Sequence, residues 1–222
     1  AVSNAYASYY PTSSWEISSP EDQQVRADNV DALVNLAFLD DSTQAVVVIK
    51  NGKIISEKYA EGYDKNSHGT SWSMAKSYYA ALIGISIDKG EIGSLDDKVG
   101  DYLTYFNDER SEITIRDLLD MSSGLDFPKD EHETMFFQED HLKYAMGVGV
   151  EKSAGLKFEY NNVNSMLLGD ILIAATGKKA DLLLKERILD HIGVTDYKLW
   201  KDENGNVLTY CCVDMSARDY SK

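Results

Sequence analysis

Three shortages bound what this chain of 222 residues can be. It has 3 prolines, 2 cysteines and 22 basic residues, the last against 37 acidic ones, for a net charge of −15. Phosphate binding needs a basic face, so nucleic acid is not an expected partner. An anionic membrane would repel the same surface. The two cysteines, Cys211 and Cys212, are adjacent. Neighbouring Cα atoms lie about 3.8 Å apart, below the usual disulfide range, so the pair reads as two small buried side chains and no disulfide framework is expected. There is no CxxC or HExxH spacing and the four histidines are scattered, so neither a metal nor a cofactor is expected. No apolar run approaches the roughly 18 residues of a membrane-spanning helix, so no membrane insertion is expected.

The composition that remains is globular. Hydrophobic residues make up 43% and charged residues 27%, which excludes a mainly disordered or collagen-like chain. This length suits one large domain or two small ones and lets the chain bury roughly 70% of its unfolded surface. The stretch AVSNAYASYYPTSSWEISSP that begins at Ala1 is polar and has no basic n-region, unlike an intact signal peptide. Either a leader has been removed or the start has been trimmed. Export, to the periplasm or the medium, is the expectation.

Residues 1–24 read as an N-terminal arm and 25–222 as the body. Asp31–Phe38 fits a short amphipathic helix. Asn51-Gly52 between two β-branched runs signals a hairpin of Ala45–Lys50 with Lys53–Tyr59. The unbroken Val46–Ile49 run predicts a strand buried on both faces. Helices are predicted over Ser73–Lys89, stopped by Gly90; from Thr114 as N-cap; over Asn162–Thr176, stopped by Gly177; and over Lys179–Leu189. One hairpin followed by a long helical region, without βαβ alternation, argues an α+β fold.

Ser73-Met74-Ala75-Lys76 is an SxxK tetrad at a helix start. Positions i and i+3 share a helix face, so the lysine amine can reach the serine hydroxyl. A serine needs a neighbour to take its proton before it is a useful nucleophile, and the helix N-terminus favours developing negative charge. Composition alone yields about 1.6 such tetrads, and the chain holds two. The second, Ser86/Lys89, ends its helix and reads as structural. What distinguishes the first is Tyr160-Asn161-Asn162. A tyrosine can serve as general acid or base, and an Asn two residues on can donate to a substrate carbonyl; a helix start with Asn caps gives the same letters. Glu131-His132-Glu133 reads as a solvated acidic loop. Met121, Met135, Met146, Phe136 and Phe137 fit a core or a cleft, and Trp72 fits a pocket wall or packing.

Together these stretches resemble the serine β-lactamase and penicillin-binding-protein superfamily, in particular its class C-like branch of esterases, D-aminopeptidases and 6-aminohexanoate-dimer hydrolases. AVVVIKNGKIISEKY resembles the first hairpin and TSWSMAKS the nucleophile segment. GSLDDKVGDYL with ITIRDLLDMSSGLDF resembles the helical stretch that follows, FEYNNVNSMLLGDILIAATGK the Tyr-x-Asn segment, and VLTYCCVDMSARDYSK the segment after it. The resemblance spans roughly residues 15–222. It implies a β-lactamase/transpeptidase-like fold, an antiparallel sheet flanked by helices with an inserted all-helical region. It also implies Ser73 as acylated nucleophile, Lys76 as its activating amine, Tyr160 as general acid or base, and Asn162 as the residue holding substrate and the lysine. Ser73's own N–H would supply half of the oxyanion hole. One departure stands out. The family carries a third motif, Lys-Thr-Gly or His-x-Gly, on a later strand, and this sequence ends four residues after Arg218. The expectation is therefore the N-terminal part of a longer protein, with the C-terminal strands elsewhere, in one alternative on a second chain.

The function expected is an acyl-enzyme serine hydrolase acting on a small ester, amide or β-lactam substrate, with carboxylesterase or amidase chemistry favoured. Two alternatives stay open: a penicillin-binding-like module with little turnover, and a half-chain that needs a partner to complete its site.

Overall fold

Asn51 and Gly52 both take positive φ, 51° and 75°, as a two-residue hairpin turn requires. They join β1 (Ala45–Lys50) to β2 (Lys53–Tyr59), which pair antiparallel from Ala45↔Tyr59 to Lys50↔Lys53 with one irregularity between Val48 and Ile49. The computed structural model to which these strands belong describes residues 10–126 and 134–222. The Glu131-His132-Glu133 loop lies outside the described residues. The remaining elements are α1 (Ala27–Ala37), β3 (His68–Thr70), α2 (Ala75–Asp88), α3 (Ile115–Leu119), α4 (His141–Gly147), α5 (Asn162–Thr176), α6 (Ala180–Leu184), β4 (Lys198–Leu199), β5 (Val213–Ser216) and α7 (Ala217–Tyr220). They sort into two units. One takes the described residues to Thr70 with Leu189–Tyr197 and Asp214–Lys222; the other takes Ser71–Ile188 and Lys198–Val213.

In the first unit, Val30 and Val34 of α1 pack with Ile55 and draw in Val46 and Val48. That covering is one-sided. Val46–Ile49 is half-buried throughout, and the expectation of burial on both faces is corrected. The end of the predicted arm is also more ordered than its composition suggests. Ile54 N–H donates to the Glu16 carbonyl and Ser18 N–H to the Ile54 carbonyl, each at 2.9 Å, so residues 16–18 run beside β2. β3 pairs antiparallel with β5, His68↔Ser216 through Thr70↔Asp214. Ser216 then caps α7 by accepting from Asp219 N–H. On α7, Arg218 donates twice to Glu57, and the Tyr59 hydroxyl donates to the same carboxylate at 2.7 Å. The guanidinium holds the Glu57 carboxyl below its ordinary range. Burial, helped by that carboxylate, pushes Tyr59 up to about 12.

The second unit is helical, and α5 is its axis. Nine of its fifteen residues are buried, as expected of a helix enclosed on most sides, and it packs against α2, α3, α4 and α6. Asn161 caps it, accepting from Val163 N–H at 3.0 Å, and Gly177 ends it at φ 72° with its N–H on the Ile173 carbonyl. Thr114 and Asp117 form the expected reciprocal cap of α3. The predicted Lys179–Leu189 helix is instead α6 followed by a π-helical turn over Lys185–Leu189. A β-carbon at Gly169 would stand 2.7 Å from Thr209 Cγ2, so a larger residue would push on the Thr209 side chain where it meets α5. Thr209 Oγ1 fixes that contact by donating to the Ser165 carbonyl at 2.7 Å.

Candidate active site

Ser73 sits in a short 3-10 turn, Trp72–Met74, that runs straight into α2. Its predecessor Trp72 has φ 45°, a left-handed conformation that costs a non-glycine residue roughly 1–2 kcal/mol. Neighbouring backbone holds it there. Ser71 N–H donates to the Val213 carbonyl at 2.8 Å, Val213 N–H returns to Ser71 Oγ at 2.9 Å, and Cys212 N–H donates to the Trp72 carbonyl at 3.1 Å. Cys212 is itself left-handed, φ 74°. Two strained residues therefore face each other beside the serine, the sort of strain that persists only where surrounding bonds over-determine it.

Lys76, one turn along, is half-buried. Its Nζ donates to Ser73 Oγ at 3.2 Å and to the Tyr210 carbonyl at 2.7 Å. The same ammonium lies 4.9 Å from the centroid of the Tyr160 ring and 5.8 Å from that of Tyr210, within cation–π range. Ser73, Lys76 and Tyr160 thus share one place, and the Tyr160 side is open to solvent at 45% exposure. Of the two asparagines after Tyr160, Asn161 is spent on the helix cap. Asn162 Oδ1 is buried without a hydrogen-bond partner among the described residues, so it does not accept from Lys76 as the resemblance implies. Trp72 is 60% exposed and its ring packs on Trp200, centroids 6.3 Å apart. The methionines and phenylalanines divide: Met121 and Met135 are buried core, Met146 and Phe136 half-buried, and Phe137 exposed.

One reading is corrected. Cys211 and Cys212 are bonded to each other as a disulfide, with Cα atoms 3.7 Å apart. Successive side chains of an extended chain point to opposite faces; the left-handed turn at Cys212 breaks that alternation and puts both sulfurs on one side. Both residues are buried, as expected.

Sequence reasoning missed three residues here. Trp200 supports Trp72, the Tyr210 carbonyl takes the lysine, and the Tyr210 hydroxyl lies 3.0 Å from Nδ1 of buried His141. Tyr210 is one tyrosine among 14, and a contribution through a backbone carbonyl leaves no trace in residue type. The second tetrad has a different environment. Ser86 is fully buried and accepts from Arg187 Nη1 at 3.0 Å, while Arg187 also grips Glu91 with two 2.7 Å bonds.

The family described as Beta-lactamase matches residues 39–210, well over half of the chain, and the chain belongs to that family. Among curated relatives, the N-acetylmuramyl-L-alanine amidase of Bacillus subtilis is 25% identical over 174 residues, which is 64% of this chain and 39% of the amidase. Among solved structures, one described as a 6-aminohexanoate-dimer hydrolase from Bacillus anthracis superposes with a TM-score of 0.70 at 22% identity, covering 86% of this chain and 54% of that one. The D-alanine carboxypeptidase AmpC of Burkholderia cenocepacia gives 0.68 at 17% identity, covering 91% and 63%. The fold is β-lactamase/transpeptidase-like, and the chain spans from about two fifths to under two thirds of the length of these relatives. No helix among the described residues is long and apolar enough to cross a membrane.

Proposed function

We propose that the protein containing this chain is a serine hydrolase that cleaves ester or amide bonds through an acyl-enzyme. The observation that carries the reading is the placement of Lys76 Nζ 3.2 Å from Ser73 Oγ, with the Tyr160 ring against the same ammonium. In this reading Ser73 Oγ attacks the carbonyl carbon, and Lys76 and Tyr160 take its proton and pass it to the leaving group. Water then attacks the acyl carbon, Tyr160 acting as base, and Ser73 is regenerated. Trp72 and Asn162 border the bound substrate. The Ser73 N–H supplies one oxyanion donor, and a strand bearing the third motif, in the same or a partner chain, supplies the other.

Carboxylesterase or amidase activity is favoured over dedicated β-lactam hydrolysis. The names of two relatives, an amidase and a 6-aminohexanoate-dimer hydrolase, support it. Export is proposed as well. It is supported by the bonded Cys211–Cys212 pair, since disulfides persist chiefly in oxidising compartments. The test is incubation of the protein, at its full natural length, with p-nitrophenyl acetate and with benzylpenicillin, followed by product release and intact mass. Turnover of the ester with a transient acetyl adduct is expected. A penicillin adduct that persists without turnover would instead favour the penicillin-binding-like module, and no adduct or product from either compound would overturn the hydrolase reading.

A further inference from the structure

The acceptor that holds Lys76 is itself held from below. Tyr210 is 2% exposed and His141 4%, and the tyrosine hydroxyl meets imidazole Nδ1 at 3.0 Å with ring centroids 5.9 Å apart. We propose that His141 and Tyr210 form a buried clamp, a pair of positioning residues that fixes the Tyr210 carbonyl where it keeps the Lys76 amine against Ser73. The inference rests on the serine-hydrolase reading and names residues that act on its chemistry without touching substrate.

Several contacts converge on it. Burial holds the His141 pKa below its ordinary value, against the pull of Asp202 and Asp140. The ring is therefore neutral near pH 7 and has one nitrogen to donate and one to accept. The Phe136 ring also packs against the imidazole, centroids 6.2 Å apart, and the Tyr210 hydroxyl, which can donate or accept, pairs with Nδ1 in either tautomer. His141 is the first residue of α4. Its backbone N–H donates to Asp202 Oδ2 at 2.9 Å, and Asp140 caps the helix through Lys143 N–H at 2.9 Å. The imidazole is thus anchored by its backbone as well as by its ring. On the other side of the carbonyl, Thr209 is hooked to α5 through the Ser165 carbonyl. The Tyr210 peptide is consequently tied to two helices that pack on each other. A lysine amine sits on a flexible four-carbon stem. A fixed acceptor at 2.7 Å limits where that amine can go, and displacing a reacting group by about 1 Å can cost up to about 10²-fold in rate.

The test uses a fluorophosphonate, whose phosphorus is attacked by Ser73 Oγ as fluoride leaves and the serine proton passes to the neighbouring base. Labelling is followed by intact mass at 10 °C, and the maximal inactivation rate is separated from reagent affinity. Melting temperature is measured for each protein. Tyr210→Phe and His141→Leu each remove one half of the hydroxyl–imidazole bond and are expected to slow the maximal rate about tenfold with affinity unchanged. His141→Asn places an amide, able to donate or accept, near the position of Nδ1 and is expected to restore most of the rate. Wild-type rates in both Tyr210→Phe and His141→Leu, or no recovery in His141→Asn, would overturn the clamp while leaving the hydrolase reading intact. An unlabelled wild-type protein would instead remove the hydrolase reading, and the clamp with it.

Discussion

Helix α2 carries the same four-residue pattern at both ends, and the two copies have opposite fates. At the start, Ser73 is exposed, Lys76 donates to its Oγ at 3.2 Å, and a tyrosine ring covers the amine. At the end, Ser86 is sealed in the core and accepts from Arg187. Lys89 is the C-terminal cap residue there, with Gly90 following at φ 71°. Spacing put serine and lysine on one helix face in both cases. What separates them is the neighbourhood. The first pair lies where the chain turns into the helix, flanked by the 209–213 segment and the approach to α5. The second lies where the helix meets the turn that carries Arg187. A tetrad is therefore a statement about geometry, and access decides whether the geometry can react.

The comparison can be broken at four places. Lys76→Met should cut acyl-enzyme formation by about 10²- to 10⁴-fold, the usual reach of a positioned acid or base, with little change in melting temperature; stopped-flow release of p-nitrophenol reads it. At the other end, Arg187→Met should leave that rate unchanged and cost about 2 kcal/mol of stability near neutral pH, measured by urea titration. This second effect has a pH signature. Arg187 holds the Glu91 carboxyl below its ordinary value, so the stabilisation is fully present above the unfolded pKa of about 4.3. It is lost as pH falls through the lower, folded value. The gap between wild type and Arg187→Met should accordingly shrink on acidification towards pH 3, and a gap that widened would contradict the pair's role. Ser86→Ala removes one acceptor from a buried guanidinium and should cost about 1 kcal/mol, again without touching the rate. Lys89→Ala, the smallest, should fall within about 0.5 kcal/mol of wild type in the same titration. A loss of activity in Ser86→Ala or Lys89→Ala with stability retained would mean that the wrong tetrad has been assigned.

Much of this was legible in the residues. The hairpin followed from Asn51-Gly52, whose left-handed φ values few other pairs accept. The bounds of α5 followed from Asn161 and Gly177, a side-chain cap and a left-handed stop. The α+β class followed from the order of patterns. The short strands β3, β4 and β5 did not, because two to four residues are too few to show a period. The half-buried state of β1 was misread because an apolar run reports what a strand could bury, not what covers it. Spacing and resemblance singled out Ser73, Lys76 and Tyr160, and the structure brings the three side by side. The Tyr210 carbonyl was not, since any residue type offers a carbonyl, and its value depends on Gly169 and Thr209, forty residues apart in sequence. The Cys211–Cys212 bond was missed for a related reason. It depends on a left-handed backbone at Cys212 that no rule of residue preference assigns to cysteine.

Ser73, in the turn that leads into α2, is proposed to be activated, and Ser86 near the end of α2 to be inert. Peptide mapping after fluorophosphonate treatment tests it most directly, on the wild-type protein at its full natural length and on Ser73→Ala. A single adduct on the peptide containing Ser73, an unmodified Ser86 in the same digest, and no adduct anywhere in Ser73→Ala are expected. An adduct that persists in Ser73→Ala, or a wild-type protein in which Ser73 stays unmodified, would contradict it.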